Sequence, residues 1–516
     1  MTTTKKEPLI RPLDSSTNVD LRALHKKLVE AESKRRAGKL VESEKICREL
    51  LNNHPTYVGA LQTFGLVCLE TENFRQAVTC FMTAAAEAPS DYTNFTNLGA
   101  AWLGLDVPSM AEIMLLEAKK INPDNPEIYQ MIGDIAVADR RYEHAMSMYR
   151  KCLELKPDSK MAMFRLSECL VDHGFFGKAK NLLLKLHKLQ PNWVAVLHLL
   201  RKLPHGMVDI DFERALENGK RQSSESEFEF ANNCKFLQGA ILDTRGKYTE
   251  AWKTLTTANE EIVNDHKEMH EKGRKQRDSN LLAIKKMSES EIQTISSSSR
   301  DECIPLFILG PSRAGKTTLE ILSATHGAVK RGYENSMVED AVVRAAQKAG
   351  LIKLHRLQLL PKPLLTSFVE EFRSRMTGYA GGAKCVTHTN PGLIGSVAGL
   401  AEALPEARFV FVSRNREDTA VRIFQQKYKS GNHHSYNLEN TFEYVDWYEL
   451  MFKELIPRLG NRIAHVQYED MVADPHNTAE MVLNLCDLKL GNLELPDVGS
   501  DVNAAKPYAD YLSLKA

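Results

Sequence analysis

Five prolines, Pro55, Pro89, Pro123, Pro157 and Pro191, stand 34 residues apart. A fixed period of that length marks a chain built from stacked supersecondary units. Other positions keep the same register. A small residue follows each of the first four prolines by ten, at Gly65, Gly99, Gly133 and Ser167. An alanine follows by twenty-two, at Ala77, Ala111, Ala145 and Ala179. Small side chains at these two places imply paired helices that pack too closely for a large one. Each proline lacks an N–H and clashes with the preceding turn, so it ends the second helix of its pair. Such units stack into a curved α-solenoid with a concave face.

The pattern resembles the tetratricopeptide repeat over about residues 24–193, as five repeats. The first is the weakest, with Ala31 at the small position and Ser43 where alanine is usual. After a spacer, Gly239, Ala251 and Ala258 recreate the pattern, so 232–265 reads as a sixth, displaced unit. The resemblance implies a peptide or protein partner in the groove. The landmark residues themselves hold the stack. Residues 260–287 are dense in charge of both signs and read as a long solvated helix. The serines at 296–299 mark a linker. The expected division is a tail over 1–23, five repeats over 24–193, and a spacer with the sixth unit over 194–265. A charged helix and linker over 266–303 then leads into a second domain over 304–516.

Composition narrows the function. Lys+Arg and Asp+Glu both number 67 in 516 residues. A net charge of zero argues against bulk binding to nucleic acid or a membrane surface, but not against a local cationic site. The longest apolar runs, such as Phe409 to Val412, fall far short of the roughly 20 residues of a membrane span. The N-terminal MTTTKKEPLIRPLDSS has no apolar segment of the secretory kind. Nine scattered cysteines without a C-x-x-C pair argue against a zinc site or a disulfide framework. A cytoplasmic protein without a metal is the expectation.

The second half opens with chemistry. The apolar run Ile304 to Leu309 reads as a strand, followed by Gly310-Pro-Ser-Arg-Ala-Gly315-Lys316-Thr317-Thr318 and an amphipathic helix. This P-loop-like segment matches G-x-x-x-x-G-K-[ST] at every fixed position. Glycines let the backbone wrap an anion, with loop N–H groups and the helix N-terminus pointed at it. Lys316 adds a full charge, and Thr317 and Thr318 add hydroxyl donors. A kinase or ATPase with such a loop needs a magnesium carboxylate at another strand end. A sulfotransferase holds the 5′-phosphosulfate of its donor with a related loop and needs no metal. The next strong strand, Ala407 to Val412, ends in Ser413-Arg414, which suits a second anion and not magnesium.

From Arg414 onward the chain resembles the sulfotransferase family. The family's second signature is an arginine ending a strand, a proline two on, an aspartate four on and a serine eight on. Arg414 and Asp418 match, while Arg416 and Arg422 replace the proline and the serine. An aromatic-rich helix pattern over Phe442 to Leu455 follows, with Tyr444, Trp447 and Tyr448 inside it. The strand Ile463 to Gln467 then closes with Tyr468-Glu469-Asp470-Met-Val, a segment read as packing the fold. Repeats followed by such a domain resemble a bacterial group related to protein-tyrosine sulfotransferases.

The resemblance implies a three-layer α/β domain with a mainly parallel sheet after the α-solenoid. It also implies transfer of a sulfuryl group from 3′-phosphoadenosine-5′-phosphosulfate to a hydroxyl or phenol, such as one on a polypeptide. Arg313, Ala314, Gly315, Lys316, Thr317 and Thr318 would hold the 5′ side of this donor. Arg414 and Arg422 would hold the 3′-phosphate. Lys506-Pro507-Tyr508 resembles the start of the family's final donor-covering loop, so Lys506 joins the donor site. Glu334, just beyond the first helix in His326-Gly-Ala-Val-Lys-Arg-Gly-Tyr-Glu334, falls at the position of the family's proposed base. Its alternative is a surface turn carboxylate, with Glu339 and Asp340 as substitute bases. Lys316 and Arg313 would stabilise the leaving phosphate. His388 reads either as a proton carrier or as a hydrogen-bonded strand-end histidine. Arg422 either replaces the serine's hydrogen bond with a charged fork or fills the pocket and excludes the donor. Arg414, Arg416 and Arg422 together form a local anion site unless Glu417 and Asp418 neutralise it. Two other readings stay open: a P-loop kinase or ATPase, and a non-catalytic repeat scaffold with a vestigial α/β domain.

Overall fold

The computed structural model describes residues 21–286 and 303–512, apart from positions 140, 205, 223–224, 352–353, 355, 429–431, 492, 497 and 500. Most of the expected N-terminal tail and the serine linker lie outside the described residues. The chain divides into two compact units between Leu166 and Ser167.

The first unit is a ladder of helix pairs. Leu21–Arg36 pairs with Leu40–Asn53, Val58–Glu70 with Phe74–Glu87, Tyr92–Gly104 with Pro108–Ile121, and Pro126–Ala138 with Tyr142–Leu155. The 34-residue period has a steric basis. A Cβ added at Gly65 or Gly133 would stand 2.6 Å from the ring of Phe81 or Tyr149, and one at Gly99 3.0 Å from Leu115. Ala77, Ala111 and Ala145 are fully buried. In the first pair, buried Ser43 donates its hydroxyl to the Ala31 carbonyl at 2.8 Å, so a polar residue replaces alanine without an unmet bond. Each second helix stops on the residue before its proline. His54, Ala88, Asn122 and Lys156 have φ between −138° and −132°, where a residue preceding proline is driven out of the helical region.

In the second unit the displaced repeat forms as a helix pair, Glu227–Thr244 and Tyr248–Lys286. A Cβ at Gly239 would stand 2.5 Å from Leu255, and Ala251 and Ala258 are fully buried. The second of these helices has 39 residues and spans about 58 Å. It absorbs the charge-dense stretch, and here the solvated-helix expectation needs correcting. Ile262 and Ile284 are buried, and Trp252 lies against Phe424 and Tyr508. Asn259 donates to the Phe424 carbonyl at 3.0 Å, and the Trp447 indole donates to the Arg277 carbonyl at 3.0 Å. One face of the helix is an apolar strut, and the charges line the rest.

The α/β region has five parallel strands, β1 (Ile304–Leu309), β2 (Val329–Lys330), β3 (Cys385–His388), β4 (Arg408–Ser413) and β5 (Ile463–Gln467), in the order β2-β3-β1-β4-β5. Helices cover both faces, which is why the strands read as unbroken apolar runs. Phe307 and Leu309 pack on one side with Phe409, Phe411, Met451 and Phe452. Leu306 and Ile308 pack on the other with Leu319, Leu322, Val410 and Val482. This is the three-layer α/β arrangement with a parallel sheet. The chain runs from central β1 to one edge, then crosses to the other side, and ligands bind at the carboxyl ends beside such a crossing.

Gly133→Ala tests the steric basis of the repeat. Alanine is the better helix former by about 1 kcal/mol. Its Cβ nevertheless meets the Tyr149 ring at 2.6 Å. A net loss of about 1–3 kcal/mol is expected, seen as a lower urea midpoint. A stabilised variant would show that these helices are not in close contact.

Candidate functional site

β1 runs directly into the loop Gly310–Gly315, and the helix Lys316–Ser323 begins with Lys316. Arg313 and Gly315 both take left-handed backbone, with φ of 65° and 100°. Alternation of this kind turns successive N–H groups toward one concavity. Gly315 is also sterically required, since a Cβ there would stand 2.5 Å from the Tyr468 ring. Lys316 is buried and folds back so that its Nζ donates to the Pro311 carbonyl at 2.8 Å. Burial pushes its pKa down to about 8, opposed by the Glu334 carboxylate and aided by the Arg313 charge. Ala314 is buried, Thr318 half-buried, and Arg313 and Thr317 exposed. Arg313 donates to Gln426 at 2.5 Å, and the Ser312 and Tyr428 hydroxyls are 2.8 Å apart.

The expected base follows β2 in a turn held from below. Glu320, on the loop helix, is 1% exposed. Its carboxylate accepts from the Tyr333 N–H at 2.9 Å, from the Thr387 hydroxyl at 2.6 Å, and from Arg331 Nε and Nη2 at 3.1 and 3.0 Å. These bonds fix Tyr333 in left-handed backbone, φ 59°, which an aromatic residue rarely adopts. Glu334 comes next and is exposed. Its charge reaches Lys316, and it also reaches Tyr444 and Tyr448, whose hydroxyl pKa values are raised first by burial. Glu334 thus lies within electrostatic reach of Lys316. The two tyrosines, recognisable in sequence only as helix-forming aromatics, lie within reach of the same carboxylate. Glu339 accepts from Asn390 at 2.7 Å, and Asp340 pairs with Arg375 at 3.4 Å, so both substitute bases are otherwise engaged. His388 is buried against Phe307 and Phe372, with Nδ1 3.1 Å from the Asn335 amide nitrogen. Burial lowers its pKa to about 3, which makes it a neutral strand-end histidine and not a proton carrier near neutral pH.

Arg414 ends β4 with a side chain only 3% exposed. Its guanidinium lies 4.6 Å from the centre of the Tyr468 ring, so the ring that backs Gly315 also backs Arg414. One nitrogen donates to the Arg313 carbonyl at 3.2 Å, and another bonds the Asp501 main-chain carbonyl and, at 3.2 Å, its carboxylate. Asp418 is 3.7 Å away, and the buried Arg414 Nε has no hydrogen-bond partner. Arg422 reaches the same Asp501 carboxylate, with Nε 3.1 Å from both oxygens and Nη2 2.6 Å from one. Asp243 stands 3.6 Å from its Nη1. Arg414 and Arg422 thus converge as expected, but on a carboxylate of the chain itself. Arg416 does not join them. It pairs with Asp446 at 2.5 and 2.7 Å and lies over the Phe442 ring. The three-cation cluster is corrected to two cations, neutralised chiefly by Asp501 and not by Glu417. Lys506 is exposed at the head of the turn Lys506–Tyr508, beside Ala505, whose N–H bonds Asp418 at 2.8 Å. β3 and β4, the strands flanking β1, end in His388 and in Ser413-Arg414, so neither offers a carboxylate to magnesium.

Residues 305–491 match the Sulfotransferase family, and residues 126–159 match the Tetratricopeptide repeat. The chain joins tetratricopeptide repeats to a sulfotransferase-family domain. Among curated relatives, the human Protein O-mannosyl-transferase TMTC3 is 29% identical, over 29% of this chain and 19% of that protein. The Tetratricopeptide repeat-containing protein trd-1 of Caenorhabditis elegans is 24% identical, over 23% of this chain and 15% of its own length. The chain spans about a fifth or less of these relatives. Among solved structures, YrrB, described as a TPR protein with an unusual peptide-binding site, is 19% identical, covering 35% of this chain and 96% of its own, with a TM-score of 0.31.

In the sulfotransferase-family domain, sequence patterns located the loop, the strand-end arginine and Glu334. They missed Glu320, Tyr468 as a backing ring, and Asp501. An acid within an amphipathic helix was the one local sign of Glu320, and nothing local marks Asp501.

The low lysine pKa gives a pH signature. Lys316 is charged below about pH 8 and neutral above it. Only the charged form attracts a phosphate, so affinity for adenosine 5′-monophosphate should fall as pH rises past 8. The slope should approach about tenfold per pH unit, and Lys316→Met should flatten it. Calorimetry between pH 7 and 10 measures this, and a flat wild-type profile would remove Lys316 from the site.

Proposed function

We propose that the chain is a sulfotransferase that moves a sulfuryl group from 3′-phosphoadenosine-5′-phosphosulfate to a hydroxyl or phenol, such as one on a polypeptide. The observation that carries this reading is the buried Lys316 at the head of the loop helix, after β1 of a sulfotransferase-family domain and within electrostatic reach of the exposed Glu334. The donor supplies the sulfuryl group already activated by its bond to phosphate. Arg313, Ala314, Gly315, Lys316, Thr317 and Thr318 form the cradle for the 5′ side, and its left-handed Gly315 suits close approach of an anion. Arg414 and Arg422 take the 3′-phosphate once Asp501 gives way, and the spare Arg414 Nε offers one further donor. Lys506 adds a charge at the edge.

Glu334 takes the proton of the acceptor hydroxyl as the acceptor oxygen bonds to sulfur. Lys316, Arg313 and the helix N–H groups meet the negative charge that the 5′-phosphate gains as its bond to sulfur breaks. Tyr444 and Tyr448, kept neutral by burial, line the acceptor side without competing for that proton. The repeats recruit the acceptor or a protein partner through their concave face. The free cysteines fit a reducing, cytoplasmic setting.

Glu334→Gln should lower kcat by about 10²–10⁴-fold, with affinity for adenosine 3′,5′-bisphosphate unchanged. The assay is sulfuryl transfer to a tyrosine peptide, alongside calorimetry of the bisphosphate. Near-normal turnover would exclude Glu334 as the base.

A further inference from the structure

Two guanidiniums close in sequence share one carboxylate from far along the chain. Asp501 lies 87 residues from Arg414 and 79 from Arg422, yet both donate to it. Arg414 binds its main-chain carbonyl as well. A carboxylate and a phosphate present the same forked set of acceptors to arginine. Asp501 therefore stands where an anion bridging these two arginines would stand.

Charge balance sharpens the point. Asp501, Asp418 and Asp243 all lie within ion-pair distance of these two arginines. Carboxylates outnumber guanidiniums, so a phosphate dianion gains little here unless one carboxylate leaves. Asp418 is tied to the Ala505 N–H at 2.8 Å and is 3% exposed. Asp501 differs, because its side chain is 44% exposed. It lies on an irregular segment after Gly499, which has φ 78°, and before Asn503, which has φ 63°. Burial works to raise the Asp501 carboxyl, but the Arg422 hydrogen bonds and the charges of both arginines hold it below the usual carboxylate range. It is thus an anion at neutral pH, and the one carboxylate of the three placed to move into solvent.

We propose that Asp501 is an internal competitor for the 3′-phosphate position and so sets which nucleotides the site accepts. With Asp501 seated, the 3′ position is filled. A 3′-phosphorylated nucleotide gains its extra contacts only by displacing this side chain. The discrimination between 3′-phosphorylated and plain adenine nucleotides is set by that exchange. The inference rests on the assignment of Arg414 and Arg422 to the 3′-phosphate.

The test compares calorimetric affinities for adenosine 3′,5′-bisphosphate and adenosine 5′-monophosphate in the full chain at pH 7.5. Asp501→Asn keeps the size of the side chain and removes its charge. It should tighten the bisphosphate by at least about tenfold and leave the monophosphate unchanged. Adding Arg422→Gln to that variant should abolish the gain, and Asp501→Glu should give none. An unchanged or weakened bisphosphate affinity in a folded Asp501→Asn chain, with the bisphosphate still preferred by the wild type, would overturn the inference and leave the 3′-phosphate assignment standing. If neither protein binds either nucleotide, the donor-site reading itself fails, and this inference fails with it.

Discussion

The Glu320 carboxylate, buried on the helix that follows the glycine loop, accepts four hydrogen bonds, from the Tyr333 N–H, the Thr387 hydroxyl and two nitrogens of Arg331. A buried charge costs several kcal/mol unless it is fully paired, so these donors are a condition of the fold as well as a product of it. Through them one side chain connects the loop helix, the end of β3 and the turn that carries Glu334. Arg331 extends the cluster. Its remaining nitrogen donates to the His173 carbonyl at 2.7 Å, and its guanidinium lies over the rings of Tyr333 and Phe175. His173 also meets the edge of Tyr333, with centroids 4.6 Å apart. The segment at His173 is thereby bonded to Arg331 and packed against Tyr333, the residue before Glu334.

A second shared support lies on the other side of β1. The Tyr468 ring leaves no room for a side chain at Gly315 and carries the Arg414 guanidinium on its face. One aromatic residue after β5 thus aligns the two candidate anion-binding elements that follow β1 and β4. The domain concentrates cations there without a net positive chain, because each arginine is paired with a carboxylate. Arg416 has Asp446, while Arg414 and Arg422 share Asp501. Zero net charge and a local anion site are therefore compatible.

What was legible in the sequence was local. The prolines and small residues disclosed the repeat because each acts on its own helix or its nearest partner. The strand at Ile304 to Leu309, the glycine loop and the strand-end Arg414 were legible for the same reason. Ser43 shows the limit: the sequence marks it as an imperfect alanine, and only the bond to the Ala31 carbonyl explains why it is tolerated. The charge-dense helix misled because its few apolar residues, such as Ile262 and Ile284, are diluted among charges, and their burial depends on surfaces formed much later in the chain. Asp501 had no local signature, since its partners come from another element.

Packing also crosses the boundary that sequence places near residue 303. Phe236, Leu255, Ala258 and Ile262, from the displaced repeat pair, share one apolar cluster with Ala420, Val421, Phe424, Tyr436 and Tyr508 from the sulfotransferase-family region. Asp243, at the end of the first of those repeat helices, bonds the Tyr508 hydroxyl and pairs with Arg422. The helix that bears Arg422 is therefore seated on repeat-like helices, and one of its counter-ions comes from them. A domain cut at residue 304 would expose that cluster and leave Arg422 with a different charge environment. The Arg414–Arg422 pair belongs to the whole second unit, because the two arginines are positioned by elements on both sides of the apparent boundary.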